Sequence, residues 1–291
     1  MDDADWQRLV DQLRRGDCTP FLGAGACSGR LPTGGELSDL YAARYGYPFT
    51  DRHNLARVMQ YAEAEVRDPV DLKVDVCNRL RGLGKRRPPD PDDVHTLLAG
   101  FPLPVFLTTN YDDFLADALR RQGKDPQEEI SPWWETGTAG IPMLPEPTVD
   151  KPLVYHLHGS WREPRSLVLT ESDYLTYLVN MVDTSAANGR HPLPTAILEA
   201  MTMRPLLFVG YSLQDWTFRV LFHGLARDIP HRNKRRHVSV QLMPRVNGTA
   251  RDAEEKARRY LTHYLNGWNI SIFLGTAAEF CAELRRRMEG S

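Results

Sequence analysis

The chain has 291 residues, with 36 Lys and Arg against 38 Asp and Glu and a formal net charge of -2. This balance lacks the basic excess that a non-specific binder of nucleic acid or anionic lipid carries, so we expect neither as a direct partner. With 42% hydrophobic and 25% charged residues, the composition is that of a globular protein long enough to bury a full core.

Membrane, secretion and metal motifs are not found in the sequence. No apolar run approaches the roughly 18 residues that span a bilayer. Residues 1–5 are acidic, unlike the start of a secretory signal peptide. The four cysteines lie far apart without a Cys-x-x-Cys pair, so we expect reduced thiols and no metal site. These features predict a cytoplasmic protein.

The first 100 residues predict a helix, a strand and then a group of helices. Apolar residues at helical spacing mark the first helix over 6–13. A short buried strand, Thr19–Leu22, runs into a glycine-rich loop over 23–29. Helical patterns follow near 35–46, 53–67 and 69–83. We therefore expect a helical insertion over about 35–100.

Beyond residue 104, short apolar runs alternate with helical patterns. The strand candidates are Val105–Thr108, 153–157, Leu206–Val209, 238–242 and Ile270–Leu274. Their continuous hydrophobicity is typical of strands buried on both faces of a parallel sheet. We predict a single α/β domain over 1–291, with a doubly wound, Rossmann-like parallel sheet of about six strands and a helical insertion lobe.

Glycine or polar residues follow four of the predicted strands. The segments are Gly23-Ala24-Gly25, Thr108-Thr109-Asn110-Tyr111-Asp112, His158-Gly159 and Gly210-Tyr211-Ser212. Ligands of open α/β sheets bind at the carboxyl ends of the strands. We therefore expect the four segments to line one crevice.

Each segment also has a purely structural interpretation. Glycines after a strand can cradle a dinucleotide pyrophosphate beside a helix N-terminus, or they can simply permit a tight turn. Asp112 could cap the next helix, although capping leaves the Asn110 amide without an assigned partner. His156 and His158 are spaced as a metal pair would be, but a third ligand is not apparent. We favour His158 as a working histidine over a satisfied core imidazole, since Gly159 beside it would let a ligand approach.

In order and spacing, the four segments resemble the motif series of the sirtuin superfamily, over residues 21 to about 284. The resemblance implies that Gly23, Ala24 and Gly25 cradle the phosphates of NAD. Cys27 stands where the family usually has serine, with Ser28 adjacent. A helix N-terminus at this position would lower the pKa of the Cys27 thiol.

The same resemblance implies roles for the other three segments. Asn110 and Asp112 match the pair that holds the nicotinamide ribose and its attacking water, and Thr109 stands where a glutamine is customary. His158 matches the catalytic histidine. The residues that match a glycine and a serine near the adenosine ribose are Gly210 and Ser212.

Residues 161–174 depart from the pattern of protein-deacylating sirtuins. Those enzymes commonly carry a four-cysteine zinc ribbon here, whereas this segment predicts a strand and a helix. Residues 169–174 and 210–216 resemble instead bacterial sirtuin-like domains of antiphage systems, which hydrolyse NAD. The resemblance thus implies a metal-free NAD glycohydrolase. An NAD-dependent protein deacylase and a non-catalytic nucleotide-binding assembly module stay open as alternatives.

An unregulated NAD hydrolase would poison its own cell, so the resemblance also implies a control on activity. We expect a homo-oligomer, or a separately encoded partner such as a ring-forming ATPase or a short Argonaute.

Overall fold

The computed structural model of the chain describes residues 1–86, 90, 92–134, 144–182, 193–210, 235–242 and 251–289. Within these ranges lies a seven-stranded sheet in which all neighbouring strands are parallel. The strands are β1 (Thr19–Leu22), β2 (Val105–Thr108), β3 (Gln127–Ile130), β4 (Leu153–His156), β5 (Leu206–Val209), β6 (His237–Gln241) and β7 (Ile270–Leu274). Their spatial order is β3-β4-β2-β1-β5-β6-β7, so the strand order reverses between β1 and β5.

Helices cover both faces of the sheet. They are α1 (Asp3–Arg14), α2 (Gly34–Arg44), α3 (Leu55–Glu65), α4 (Pro69–Gly84), α5 (Val94–Ala99), α6 (Phe114–Arg121), α7 (Glu171–Val182), α8 (Thr195–Thr202), α9 (Arg251–Asn266) and α10 (Ala277–Glu289). Along β5, Leu206 and Phe208 pack into the core with α7, α8 and α9, while Leu207 and Val209 pack with α1, α5, α6 and α10. The predicted doubly wound parallel α/β architecture is confirmed. None of the helices in the described ranges combines the length and apolar composition that a bilayer-spanning helix requires.

The sheet has one strand more than the six that the sequence predicts. The additional strand, β3, is a half-buried edge strand that contains two glutamates. One of them, Glu128, forms ion pairs with Arg120 and Arg162. A polar edge strand lacks the apolar run that identifies the other six. Conversely, the strand predicted within 161–174 is not formed, because this segment makes a 3₁₀ turn at Pro164–Ser166 before α7.

Helices α2, α3 and α4 form a lobe over the carboxyl ends of the strands. Their shared core packs against Phe114 of α6 and Trp161. A partly buried ion pair also joins the lobe to α7, with Lys73 Nζ of α4 lying 2.8 Å from Asp173 Oδ1. Helix α5 packs against α6 and contributes to the core on the sheet face rather than to the lobe.

Candidate active site

The carboxyl ends of the strands open into a cavity of about 1020 Å³ between the sheet and the helical lobe. The predicted site residues that line it are Ala24, Gly25, Cys27, Ser28, Thr109, Asn110, Asp112, His158 and Gly210. Gly23 lies directly behind this wall, where its carbonyl accepts a hydrogen bond from Asn110. Ser212 falls outside the described residues. The volume is at the upper end of the roughly 300–1,000 Å³ typical of cofactor and ligand sites.

A backbone contact between two strand-end loops forms the floor of the cavity. Gly25 N–H donates to Gly210 O at 2.8 Å, and Gly23 N–H donates to Val209 O at 3.0 Å. A Cβ on Gly25 would lie 2.8 Å from Gly210 Cα, and a Cβ on Gly210, whose φ is +71°, would lie 2.0 Å from Ala26 N. The fold therefore requires both glycines for this close approach, as the steric interpretation of the motif predicts.

The loop after β1, which the sequence predicts to be irregular over 23–29, contains a short 3₁₀ turn. The turn spans Ala24–Cys27, and the next α-helix, α2, begins only at Gly34. The amides of Gly23, Gly25 and Ala26 already donate to backbone carbonyls. The Ala24 N–H has no acceptor among the described residues, so it is available to an anionic ligand.

Asn110 is held between the β1 loop and the end of β2. Its side-chain Nδ2 donates to Gly23 O and to Cys27 Sγ, both at 3.1 Å. Its backbone N–H donates to Thr108 Oγ1 at 3.0 Å, and its carbonyl accepts from His156 Nδ1 at 3.1 Å. The structure thus supplies the amide partners that the sequence could not assign. His156 supports the Asn110 backbone from behind.

Cys27 and Asp112 form a buried pair beside Asn110. The Cys27 thiol donates to Asp112 Oδ2 at 3.1 Å, and Asp112 Oδ1 accepts from Phe114 N–H at 2.9 Å at the start of α6. Asp112 thus accepts a hydrogen bond from the first backbone amide of α6, but the N-cap residue of this helix is Asp113 and not Asp112. Burial and the Asp112 carboxylate raise the pKa of the Cys27 thiol well above its usual range. The pKa lowering that a helix N-terminus would cause is not found, because the thiol is buried beside a negative charge.

His95 of α5 joins this pair, which no sequence pattern indicated. Its Nε2 lies 3.9 Å from Cys27 Sγ, and one ligand-type atom of each of Cys27, His95 and Asp112 lies within 4.8 Å of the other two. These are donor types that transition metals bind, although here the thiol and the carboxylate already satisfy each other through a hydrogen bond. A second group with similar spacing is Asp113, Glu128 and His156.

His158 lies two residues beyond the end of β4, on the wall of the cavity. Its ring packs edge-on against Tyr177 and Tyr174, with centroids 4.9 Å and 5.6 Å away. Burial lowers the pKa of the imidazole to about 3, so the ring is neutral at physiological pH and one of its nitrogens can accept a hydrogen bond. The neighbouring Gly159 has φ +92° and a Cβ there would lie 2.1 Å from Ser166 O. Gly159 therefore makes room for the backbone carbonyl of Ser166, and not for the ligand that the sequence suggested.

Two rims of the cavity were not predicted. They are the starts of α2 and α10. Each of these helices begins with a capping box, in which a threonine side chain accepts a hydrogen bond from the backbone N–H of the glutamate three residues later. The glutamate side chain in turn accepts a hydrogen bond from the backbone N–H of the threonine. The pairs are Thr33 with Glu36 and Thr276 with Glu279. The sequence contains both motifs, but a capping box indicates a helix start anywhere in a fold and is not specific to a binding site.

Comparison with known proteins places this site in a family context. The family model described as SIR2-like domain matches residues 104–273. The NAD(+) hydrolase ThsA of Enterococcus faecium is 24% identical over 235 residues, covering 80% of the chain and 45% of that relative. The protein of the same name from Acinetobacter baumannii (strain 532279) is 26% identical over 216 residues, covering 72% of the chain and 39% of the relative. The chain thus spans less than half the length of these curated relatives.

The contact between the two glycine loops predicts a strong position dependence of Gly→Ala substitutions. Gly210→Ala should lower the free energy of unfolding by at least about 2 kcal/mol, since it adds left-handed strain and overlaps Ala26 N. Gly82→Ala in α4 is the matched control, because its Cβ would meet nothing within 4 Å, and it should raise stability by about 0.5–1 kcal/mol. Urea unfolding measures both, and equal stability of the two variants would contradict this account of the cavity floor.

Two of the buried imidazoles, those of His158 and His237, predict how stability depends on pH. Burial lowers the pKa of His158 to about 3 and that of His237 to about 4, whereas imidazole in an unfolded chain titrates near ~6.5. As the pH falls below ~6.5, the unfolded chain binds protons that the folded chain does not, so the free energy of unfolding decreases. Each histidine should account for a loss of about 2 kcal/mol between pH 7 and 5.

Urea unfolding at both pH values tests this linkage. His158→Gln should reduce the pH-dependent loss by about 2 kcal/mol relative to the wild type. His263→Gln, which replaces an exposed imidazole in α9, is the control and should leave the loss unchanged. The account is wrong if His158→Gln and the wild type lose the same free energy.

Proposed function

Because the chain belongs to the family of SIR2-like domains, whose model matches more than half of it, we propose that it is an NAD glycohydrolase. The family match confirms the resemblance to sirtuins that the sequence motifs predict. The observation that carries the proposal is that Asn110 and His158 line one cavity together with the Gly-Ala-Gly loop. The name NAD(+) hydrolase, given to relatives of which this chain spans less than half, agrees with the proposed activity.

The proposed reaction breaks the bond between C1′ of the ribose and the pyridinium nitrogen. The electron pair of this bond goes to the nitrogen, so that nicotinamide leaves as a neutral base and the ribose passes through an oxocarbenium-like transition state. Water then forms the new C1′–O bond and releases one proton. The products are nicotinamide, ADP-ribose and that proton. Since the leaving group needs no acid, the site must orient the ribose and the water.

Asn110 and His158 are suited to these two tasks. The Asn110 amide has both N–H groups bound to Gly23 and Cys27, which leaves its carbonyl oxygen to accept a hydrogen bond from the ribose or the water. The neutral His158 imidazole accepts a hydrogen bond from the water and takes its proton as the C1′–O bond forms, when the water oxygen becomes strongly acidic, a contribution worth about 10²–10⁴ in rate. Both carboxylate oxygens of Asp112 accept hydrogen bonds from the protein, so we propose that Asp112 maintains the geometry of the pocket.

The remaining predicted residues would bind the rest of the dinucleotide. The pyrophosphate would lie on the loop Gly23 to Gly25, where the Ala24 N–H is available, with Ser28 and Thr109 on the adjacent wall. The adenosine ribose would lie near Gly210 and Ser212. No step of this scheme uses a metal ion.

We further propose that the activity is switched on by self-association or by a separately encoded partner, such as a ring-forming ATPase or a short Argonaute, in antiphage defence within the cytoplasm. Support comes from the family resemblance and from the cost of unregulated NAD loss to the cell.

Turnover per chain should rise with protein concentration as oligomers form, measured by NAD consumption alongside sedimentation. A monomer with full, concentration-independent activity would contradict control by self-association.

Substitution of the two central residues tests the hydrolase. Asn110→Ala and His158→Ala should each lower kcat for NAD hydrolysis by at least about 10²-fold, because the first removes the oriented acceptor and the second the proton acceptor. His53→Ala, which also changes the cavity wall but removes only an exposed side chain, is the control and should keep most of the activity. Mass spectrometry of the products gives the readout.

The product spectrum also separates the alternatives. Equal amounts of nicotinamide and ADP-ribose support hydrolysis. Acetylated ADP-ribose formed only with an acetyl-lysine peptide would favour a protein deacylase. Tight NAD binding without products in every oligomeric form would favour a nucleotide-binding assembly module. Full activity of both alanine variants would remove the basis of the assigned site.

A further inference from the structure

The Asn110 amide has a defined orientation at the floor of the cavity. A primary amide has two N–H donors, and here Gly23 O and Cys27 Sγ, both at 3.1 Å from Nδ2, accept them. No described residue donates to Oδ1, and Asn110 lines the cavity. The hydrogen-bond network therefore turns the acceptor end of the amide toward the cavity and its donor end toward the protein.

Cys27 is required for this orientation because of the direction in which its own proton points. The thiol donates to Asp112 Oδ2 at 3.1 Å, so the sulfur can only accept from Asn110. A rotated amide would set its oxygen against the Gly23 carbonyl and against a sulfur whose proton is already used. Asp112 is in turn held by Phe114 N–H. One chain of hydrogen bonds thus runs from the start of α6 to the cavity.

Burial isolates this chain from competing water. Cys27, Asn110 and Asp112 are 2%, 8% and 5% exposed. In such a site a hydrogen bond is electrostatically stronger than in water, and an unpaired donor is costly. Burial and the Asp112 carboxylate also raise the pKa of the thiol well above its usual range, so Cys27 keeps the proton that it donates.

We infer that Cys27 is a positioning residue, which acts through Asn110 and fixes the Asn110 carbonyl toward the reacting ribose and water. The inference rests on the proposed NAD hydrolysis at this site. A hydroxyl can donate to Asp112 and accept from Asn110 in the same way as the thiol, so serine should substitute for Cys27. Neither alanine nor valine can do so, and because alanine is smaller than cysteine and valine is larger, a defect common to both variants reports the lost hydrogen bonds rather than a change of volume.

Steady-state kinetics of the 291-residue chain with NAD test the inference. Cys27→Ser should keep kcat within about threefold of the wild type. Cys27→Ala and Cys27→Val should lower kcat by about 10–100-fold while KM changes by less than about threefold, since a displaced acceptor weakens the reaction step more than NAD binding. Cys77→Ala, which removes a buried thiol from the core of the lobe, is the control and should leave kcat unchanged. Thermal unfolding verifies that each variant is folded.

The outcomes separate this inference from the proposed function. Wild-type kcat in folded Cys27→Ala and Cys27→Val overturns the positioning role and leaves NAD hydrolysis standing. A folded Cys27→Ser as impaired as the alanine variant also overturns it, because the thiol would then act by its own chemistry. Absence of NAD turnover by the wild type in every assembly state overturns the proposed function and the positioning role together.

Discussion

The approach of the β1 loop to Gly210 is the constraint on which the rest of the site depends. Two backbone hydrogen bonds join the loop to the end of β5, at the point where the strand order of the sheet reverses. Gly25 and Gly210 have no room for a Cβ. This contact places the carbonyl of Gly23 and the thiol of Cys27 beside the Asn110 side chain. The crevice at the carboxyl ends of parallel strands, which many α/β folds have, thereby gains a specific arrangement of hydrogen-bond donors and acceptors.

Burial decides the charge state of the groups around the cavity. His158 is surrounded by tyrosine rings and remains a neutral base, while the Cys27 thiol remains protonated. Such a site suits the proposed chemistry, because a cationic imidazole would oppose the positive charge that develops on the ribose. Asp112 is the negative group nearest to this network, and its oxygens are held by protein donors.

The strands with continuous apolar runs were predictable because a strand buried on both faces has apolar residues at successive positions. All four residues of Leu206–Val209 are buried, for example. The convergence of Asn110 and His158 was also predictable, since parallel strands end at the same edge of the sheet. The edge strand Gln127–Ile130 was not, because its half-exposed polar residues resemble a loop.

The features of the site that could not be predicted arise from contacts between segments that are far apart in the sequence. No local pattern records that His95 lies beside Cys27, or that Gly159 makes room for the Ser166 carbonyl. The raised pKa of Cys27 has the same origin: the sequence leaves the reactivity of this thiol open, whereas the chain forms a 3₁₀ turn that buries the thiol against Asp112. The sequence predicted a set of residues, most of which line one cavity, and the packing determines their protonation and their partners.

The most direct measurement is a crystal structure of the His158→Ala variant with NAD. The account predicts electron density for the dinucleotide in the cavity, with the pyrophosphate on the loop from Gly23 to Gly25 and C1′ of the nicotinamide ribose between Asn110 Oδ1 and position 158. NAD bound on another surface, or bound here with its nicotinamide ribose turned away from Asn110, would contradict it.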